Sequence, residues 1–348
     1  MKKKLFIPLA ATALLAVAAC GAPAAQEGGG QTTTTSSSEL VVVTHDSFTL
    51  PEELLAKFAE ESGYEVTYVA PGDAGTLVNQ LVLTKDSPLG DVVYGIDNAF
   101  ASRAADEGVL LAYDSPALPE SSRQFAAGQL TPIDFGDVCI NADTGWFEEK
   151  GLAVPTTLDD LTDPAYKDLL VVTNPASSAP GLAFLLATIG AKGEDGYLDY
   201  WKALKANGTQ VVSGWTEAYY TEFSGADGAG PRPLALSYAT SPAYTVEDDR
   251  STTQALLDTC FRQVEYAGVL KGTANEVGAQ KFIDFLLSED VQSVIPENLY
   301  MYPAVTQTQL PAEWVKFAPL SEHPIEVSNE TIGANRDRWI KEWTEAIG

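Results

Sequence analysis

Leu40-Val41-Val42-Val43-Thr44-His45-Asp46-Ser47 starts as an unbroken apolar run and ends polar. A run with no polar face suits a strand buried on both sides of a parallel sheet. Pro51-Glu52-Glu53 then starts a helix, with proline in its first turn and acids at its positive end. Leu54, Leu55, Phe58 and Ala59 supply the apolar stripe. Residues 64–69 read as the next strand, 74–83 as a second helix and 91–94 as a third strand. This βαβαβ order predicts the opening of a doubly wound α/β sheet. Ligands bind such sheets beyond the carboxyl ends of the strands. Thr44-His45-Asp46-Ser47, Gly72-Asp73-Ala74 and Asp97-Asn98 are therefore expected to face one crevice.

The alternation then repeats. Residues 134–140 read as a strand leaving this first lobe, 169–173 as a strand, and 181–189 and 198–204 as helices. Residues 260–270 read as a strand returning to the first lobe, with Val264, Tyr266 and Gly268 alternating. Ala279, Phe282, Ile283 and Leu286 mark a helix after it. Trp339, Trp343 and Ile347 lie at i, i+4 and i+8 of a last helix, a packing stripe. A chain that leaves one lobe and returns to it predicts two lobes joined by crossover strands, with the ligand crevice between them. The expected divisions are 39–136 for the first lobe, 137–262 for the second, and 263–348 for the return plus a C-terminal helix.

The 348 residues carry a formal charge of −27. So acidic a chain is a poor partner for nucleic acid. Residues 1–19 read as a leader: basic Lys2-Lys3-Lys4, then an apolar stretch short for a membrane span. Val17-Ala18-Ala19-Cys20 resembles a bacterial lipobox, so Cys20 is the expected lipid anchor of an extracytoplasmic, membrane-attached protein. Residues 20–38, rich in Gly, Gln, Ser and Thr, read as a disordered tether. Of three cysteines, Cys139 and Cys260 remain. They fall near the exit and return strands, which should run side by side, and an exported compartment permits oxidation, so a disulfide is expected. The alternative is two buried thiols. His45 and His323 are the only histidines, leaving little for histidine catalysis or a zinc site.

Two aromatic stretches carry the candidate site. Gln210-Val211-Val212 leads into Ser213-Gly214-Trp215-Thr216-Glu217-Ala218-Tyr219-Tyr220. Leu234-Ala235-Leu236-Ser237-Tyr238 reads as a strand that runs into Ala239-Thr240-Ser241-Pro242-Ala243-Tyr244. Trp215, Tyr238 and Tyr244 thus flank strand ends beside the hydroxyls of Thr240 and Ser241. Such a set suits a flat ligand that stacks and hydrogen-bonds at its rim; core packing is the competing reading.

These stretches, with Ser178-Ala179-Pro180-Gly181-Leu182 and Met301-Tyr302-Pro303, resemble the thiamine-binding proteins of bacterial ABC importers. The order and spacing hold over most of the chain from Glu39 on. The resemblance implies a two-lobed type II periplasmic binding protein fold, no enzymatic activity and no cofactor. Its implied partners are thiamine or a thiamine phosphate or diphosphate and an ABC permease, with the protein a monomer. It also implies ligand contacts at Asp73 and Ala74, Ser178 and Ala179, and Trp215. Further contacts are implied along Tyr238, Ala239, Thr240, Ser241 and Tyr244. Asp73 would accept from an amino group or balance a cation, or cap the helix from Ala74. The family often has a hydroxyl residue where Ala179 stands, which weakens the case for phosphate. Tyr300 stands where the family has tryptophan.

Two rivals share the fold or the compartment. Tyr219-Tyr220 is a tyrosine pair of the type that ligates ferric iron, although one packed and one solvated tyrosine explains it equally. A secreted enzyme acting on thiamine or a phosphate ester would need a nucleophile, and Cys139 is the sole candidate near the hinge, with no base evident beside it.

Overall fold

The structure, a computed structural model, describes residues 39–226 and 230–348. The expected leader, Cys20 and tether lie outside the described residues.

The opening alternation is β1 (Glu39–Val43), α1 (Glu52–Ser62), β2 (Glu65–Val69), α2 (Ala74–Leu83) and β3 (Val92–Asp97), followed by α3 (Ala101–Asp106) and β4 (Leu110–Leu111). Next come the long strand β5 (Thr131–Asp143), α4 (Thr144–Lys150), β6 (Leu170–Thr173), α5 (Ala179–Lys192), α6 (Tyr197–Ala206), β7 (Gln210–Val212) and β8 (Leu234–Tyr238). A two-strand ribbon, β9 (Val246–Glu247) with β10 (Arg250–Ser251), precedes the longest strand, β11 (Thr253–Leu270). The chain ends with α7 (Glu276–Leu286), α8 (Glu289–Leu299), β12 (Tyr302–Pro303), α9 (Ala312–Phe317) and α10 (Asn329–Ile347).

One mixed sheet runs β2-β1-β3-β11-β5-β8-β6-β7. Its two ends mirror each other. β1 pairs in parallel with β2 and β3, and β6 pairs in parallel with β7 and β8. Antiparallel β5 and β11 fill the middle. Each of these long strands serves both ends. β11 pairs with β3 through Glu265–Val269, and β5 pairs with β8 through Val138–Ala142. The strand predicted to begin at Cys260 starts earlier, at Thr253, because pairing with β5 continues through Leu256.

Between Leu256 and Phe261 the register of β11 slips against β5, which places Cys260 beside Cys139. The two are joined as a disulfide, Cα atoms 4.3 Å apart, in a small buried cluster with Ala239 and Ala255. Trp339, Trp343 and Ile347 are buried along α10, and Trp343 meets Trp201 of α6 edge-on at 5.3 Å. The buried side of α6 is Tyr197, Tyr200, Trp201 and Leu204. No helix among the described residues is long and apolar enough to cross a membrane.

A candidate ligand-binding cleft

The carboxyl ends of β1 and β2, the N-termini of α2 and α5, the loop after β7 and the end of α8 converge on a cavity of about 420 Å³. That volume suits a small molecule. Asp73, Ala179, Trp215, Tyr238 and Tyr300, all expected from the sequence, line it together.

Asp73 is the knot of the cleft. Its Oδ1 accepts the N–H groups of Ala74 (2.6 Å) and Ala179 (3.1 Å), and Oδ2 accepts that of Trp215 (3.1 Å). One carboxylate therefore caps α2, meets the first residue of α5 and fixes the turn that carries Trp215. Burial pushes the Asp73 carboxyl up, opposed by its bonds to Ala179, Ser178 and Trp215. The approach of α2 to the loop before α5 requires glycine at position 75. A Cβ there would stand 2.7 Å from the Ser177 carbonyl carbon and 2.8 Å from the Ala176 oxygen.

Trp215 is only 8 % exposed. The Tyr219 ring lies along one face, and Nε1 donates to Ser237 Oγ at 2.9 Å. Ser237 in turn meets Ser241 Oγ at 2.8 Å. The edges of Tyr220, Tyr238 and Tyr300 surround the indole at centroid distances of 5.4 to 6.1 Å. Tyr300 follows α8 with φ +61°, a left-handed conformation that is costly for a tyrosine. It is held there by the Thr240 hydroxyl on its carbonyl, the Tyr220 hydroxyl at 3.1 Å and the Tyr244 ring at 3.7 Å.

The other expected residues stand behind this wall. Ser178 is buried and bonds Thr173 and the Gly181 N–H. Ala74 is buried in the first turn of α2. Ala239 packs with the disulfide, Thr240 and Ser241 brace their neighbours, and Tyr244 backs Tyr300. These six support the cleft and do not line it.

Sequence reasoning placed His45 near the crevice without giving it a role, and missed Glu265. Both line the cavity, with Nε2 of His45 3.7 Å from Oε1 of Glu265. Glu265 lies directly opposite Asp97 of β3 on one side and Asp134 of β5 on the other. Three carboxylates in one row across three strands cannot all stay charged. Burial, then the charge of Glu265, pushes Asp134 well above the usual range. Burial pushes Asp97 up to about 8. Burial also pushes Glu265 up, but His45 and the Tyr94 hydroxyl (3.0 Å) outweigh it and hold it below its usual value. For His45, burial is outweighed by Glu265, and the imidazole is held above its usual value. A charged carboxylate in the middle of an apolar strand was the available signal for Glu265.

Tyr219 and Tyr220 do not act as a pair. Tyr219 is buried along Trp215, while Tyr220 turns its hydroxyl to Tyr300. Burial pushes the Tyr300 phenol far up, the wrong direction for a phenolate ligand. Among the described residues no cluster of three or more His, Cys, Asp or Glu side chains is arranged to hold a metal. Cys139 is spent in its disulfide and cannot act as a nucleophile.

Two mirrored α/β ends, joined by shared central strands beside an aromatic and acidic cleft, define a periplasmic binding protein of the two-lobed type. Residues 87–321 match the family described as bacterial extracellular solute-binding protein, and the chain belongs to that family. It is 29% identical over 320 residues to the thiamine-binding periplasmic protein of Brucella suis, covering 88% of this chain and 91% of that one. A solved periplasmic thiamin binding protein superposes with a TM-score of 0.78 at 29% identity, over 89% of this chain and 96% of the other. A ferric binding protein from Campylobacter jejuni superposes with a TM-score of 0.69 at 17% identity, over 88% and 99% of the two chains, a likeness of fold alone.

Proposed function

We propose that this chain captures thiamine outside the cytoplasm and delivers it to an ABC permease without chemical turnover. The observation that carries this reading is the lining of the cleft. Trp215, Tyr220, Tyr238 and Tyr300 supply ring faces and edges, and Asp46, Asp73, Glu265 and Glu297 supply negative charge. Thiamine pairs an aminopyrimidine with a cationic thiazolium, and aromatic faces attract such a cation. The similarity to thiamine-binding proteins adds to this support. The lobes, bounded near 136 and 262, close on the ligand about β5 and β11, which serve both ends of the sheet. The protein works as a monomer, tethered by lipid on Cys20 after removal of residues 1–19.

Calorimetry of the purified protein with thiamine tests the reading, with one site per chain expected. Ferric citrate is the counter-test. A phenolate-to-iron charge-transfer band, with no heat from thiamine, would favour iron. For the anchor, Cys20→Ser is expected to move the protein from the membrane fraction to the soluble one.

A further inference from the structure

The last helix, α10, follows the return strand in the chain, yet the β6–β8 end of the sheet grips it. Trp343 meets Trp201 of α6 edge-on at 5.3 Å, and the Tyr197 hydroxyl donates to Glu342 at 2.6 Å. Arg338 pairs with Glu194, just after α5, at 2.9 Å, and Lys205 Nζ donates to the Ile347 carbonyl at 2.7 Å. Both indoles are buried, so this seam carries most of the apolar area that α10 covers. Just before the helix, the Ile325 N–H donates to the Cys260 carbonyl at 2.8 Å, beside the disulfide. The helix is thus fixed to the crossover strands and to the second end of the sheet.

Its N-terminal half also touches α3, on the β1–β3 end, and there the contact is slight. A Cβ on Gly333 would stand 3.2 Å from the Ser102 Cβ. Arg103 reaches the exposed Asp337 at 3.7 Å, the kind of ion pair that contributes little. Arg336 lies over the Phe100 ring at 5.6 Å and is buried, but its Nη1 has no hydrogen-bond partner among the described residues. A buried donor left unpaired is costly, so the contact with α3 forms at small net gain and breaks easily.

The two ends also meet across the cleft. Tyr300 precedes β12, which pairs with Phe135 and Asp134 in the part of β5 nearest β3, and its hydroxyl lies 3.1 Å from that of Tyr220 on the other side. The α3 contact and the cross-cleft contact therefore exist in one arrangement. We infer that α10 is a strap carried by the second lobe, and that its contact with α3 forms as the lobes meet and restrains their opening. Residues remote from the cleft then set how fast ligand leaves. This inference rests on the thiamine reading above and on lobe motion about β5 and β11.

The test uses the full chain carrying Cys20→Ser. Ser102→Cys/Gly333→Cys places two Cβ atoms near the disulfide spacing of roughly 3.5–4.5 Å and should lock the strap when oxidised. Holding the open state to about a tenth of its former population slows release about tenfold. Stopped-flow tryptophan fluorescence is expected to show thiamine leaving the bridged form at least about tenfold more slowly than the reduced form. The Cys20→Ser protein, put through the same redox cycle, should not change. Gly333→Leu wedges α10 from α3 and is expected to speed release, with melting curves confirming folded protein. Bridged and reduced forms that release thiamine at one rate would overturn the inference. So would folded Gly333→Leu with unchanged release, or a cysteine pair that fails to oxidise. Small-angle scattering without ligand judges the strap independently: the bridged form should be more compact than Gly333→Leu, and equal radii would overturn the inference. Absence of thiamine binding by the wild-type chain would overturn the thiamine reading alone.

Discussion

The Trp215 indole and the Tyr219 ring lie nearly parallel, 13° apart in plane with centroids separated by 5.2 Å. One face of the tryptophan is thus spent inside the protein, and the indole lines the cavity with the small part that stays exposed. A desolvated cation–π contact is worth about 2 kcal/mol, and about 1.4 kcal/mol is tenfold in affinity. Trp215→Ala is therefore expected to weaken thiamine binding about thirtyfold. It also strips Tyr219 of its stacking partner, so the melting temperature falls as well. Trp215→Phe keeps a ring and loses less of both. Calorimetry on the folded fraction separates the two effects; near-wild-type affinity in folded Trp215→Ala would remove the indole from the site.

Tyr300 allows a backbone effect to be separated from a side-chain effect. Its φ of +61° is strained for any residue with a Cβ. Tyr300→Ala and Tyr300→Gly both delete the ring that touches Trp215, Tyr220 and Tyr244, so both should weaken ligand binding alike. Glycine accepts the left-handed conformation, so Tyr300→Gly is expected to be more stable than Tyr300→Ala by about 1 kcal/mol. Urea midpoints of the two variants check this. Equal midpoints would mean that the turn relaxes when the ring is gone.

The contrast between these tyrosines and Glu265 explains what could be read from the sequence. Buried parallel strands announce themselves as apolar runs, and α2 was delimited at Ala74 and Leu83 because Asp73 caps it and its apolar side is regular. Trp215 and Tyr238 were legible because each follows a short strand directly. Glu265 and His45 meet across 220 positions of chain, and pairing of β11 with β3 and β5 brings them together. Nothing local to either residue encodes that register. Tyr244 stands just after β8 and lies against Tyr300, which reaches the cavity where α8 ends in a left-handed turn, a contact across the chain that neither local stretch encodes.

The Cys139–Cys260 bridge spans 121 positions and ties β5 to β11 beside the points where they change partners. Closing so long a loop constrains the unfolded chain, and losing the bridge is expected to cost about 2–5 kcal/mol. The sulfurs pack with Ala239 and Ala255, outside the cavity lining, so binding by the folded protein should persist. Cys139→Ser/Cys260→Ser is expected to show a lower urea midpoint with thiamine affinity within about threefold of wild type, since about 1.4 kcal/mol is tenfold. Two reactive thiols in unfolded, unreduced protein lacking Cys20 would refute the bridge.

The carboxylate row sets the pH dependence of stability. Asp97 Oδ1 accepts the Phe100 N–H at 2.9 Å, while its buried Oδ2 has no hydrogen-bond partner among the described residues. Burial raises its carboxyl from 3.8 to about 8 in the folded protein. The folded state therefore holds a proton that the unfolded chain releases, and the Asp97 contribution declines as pH rises across that interval, then levels off. His45, raised above 6.5 beside Glu265, likewise contributes stability at low pH that is lost as pH rises through its folded value. Glu265, lowered below 4.5, has the opposite sign: its contribution is present above that value and lost as pH falls through the folded one. Asp97→Asn isolates one member of the row, keeping an acceptor for Phe100 while removing the charge. The variant is expected to melt above wild type at about pH 8, with the advantage shrinking steadily toward about pH 4. Thermal melts across that range decide it. An advantage independent of pH, or none at about pH 8, would show that Asp97 is not the group that takes up the proton.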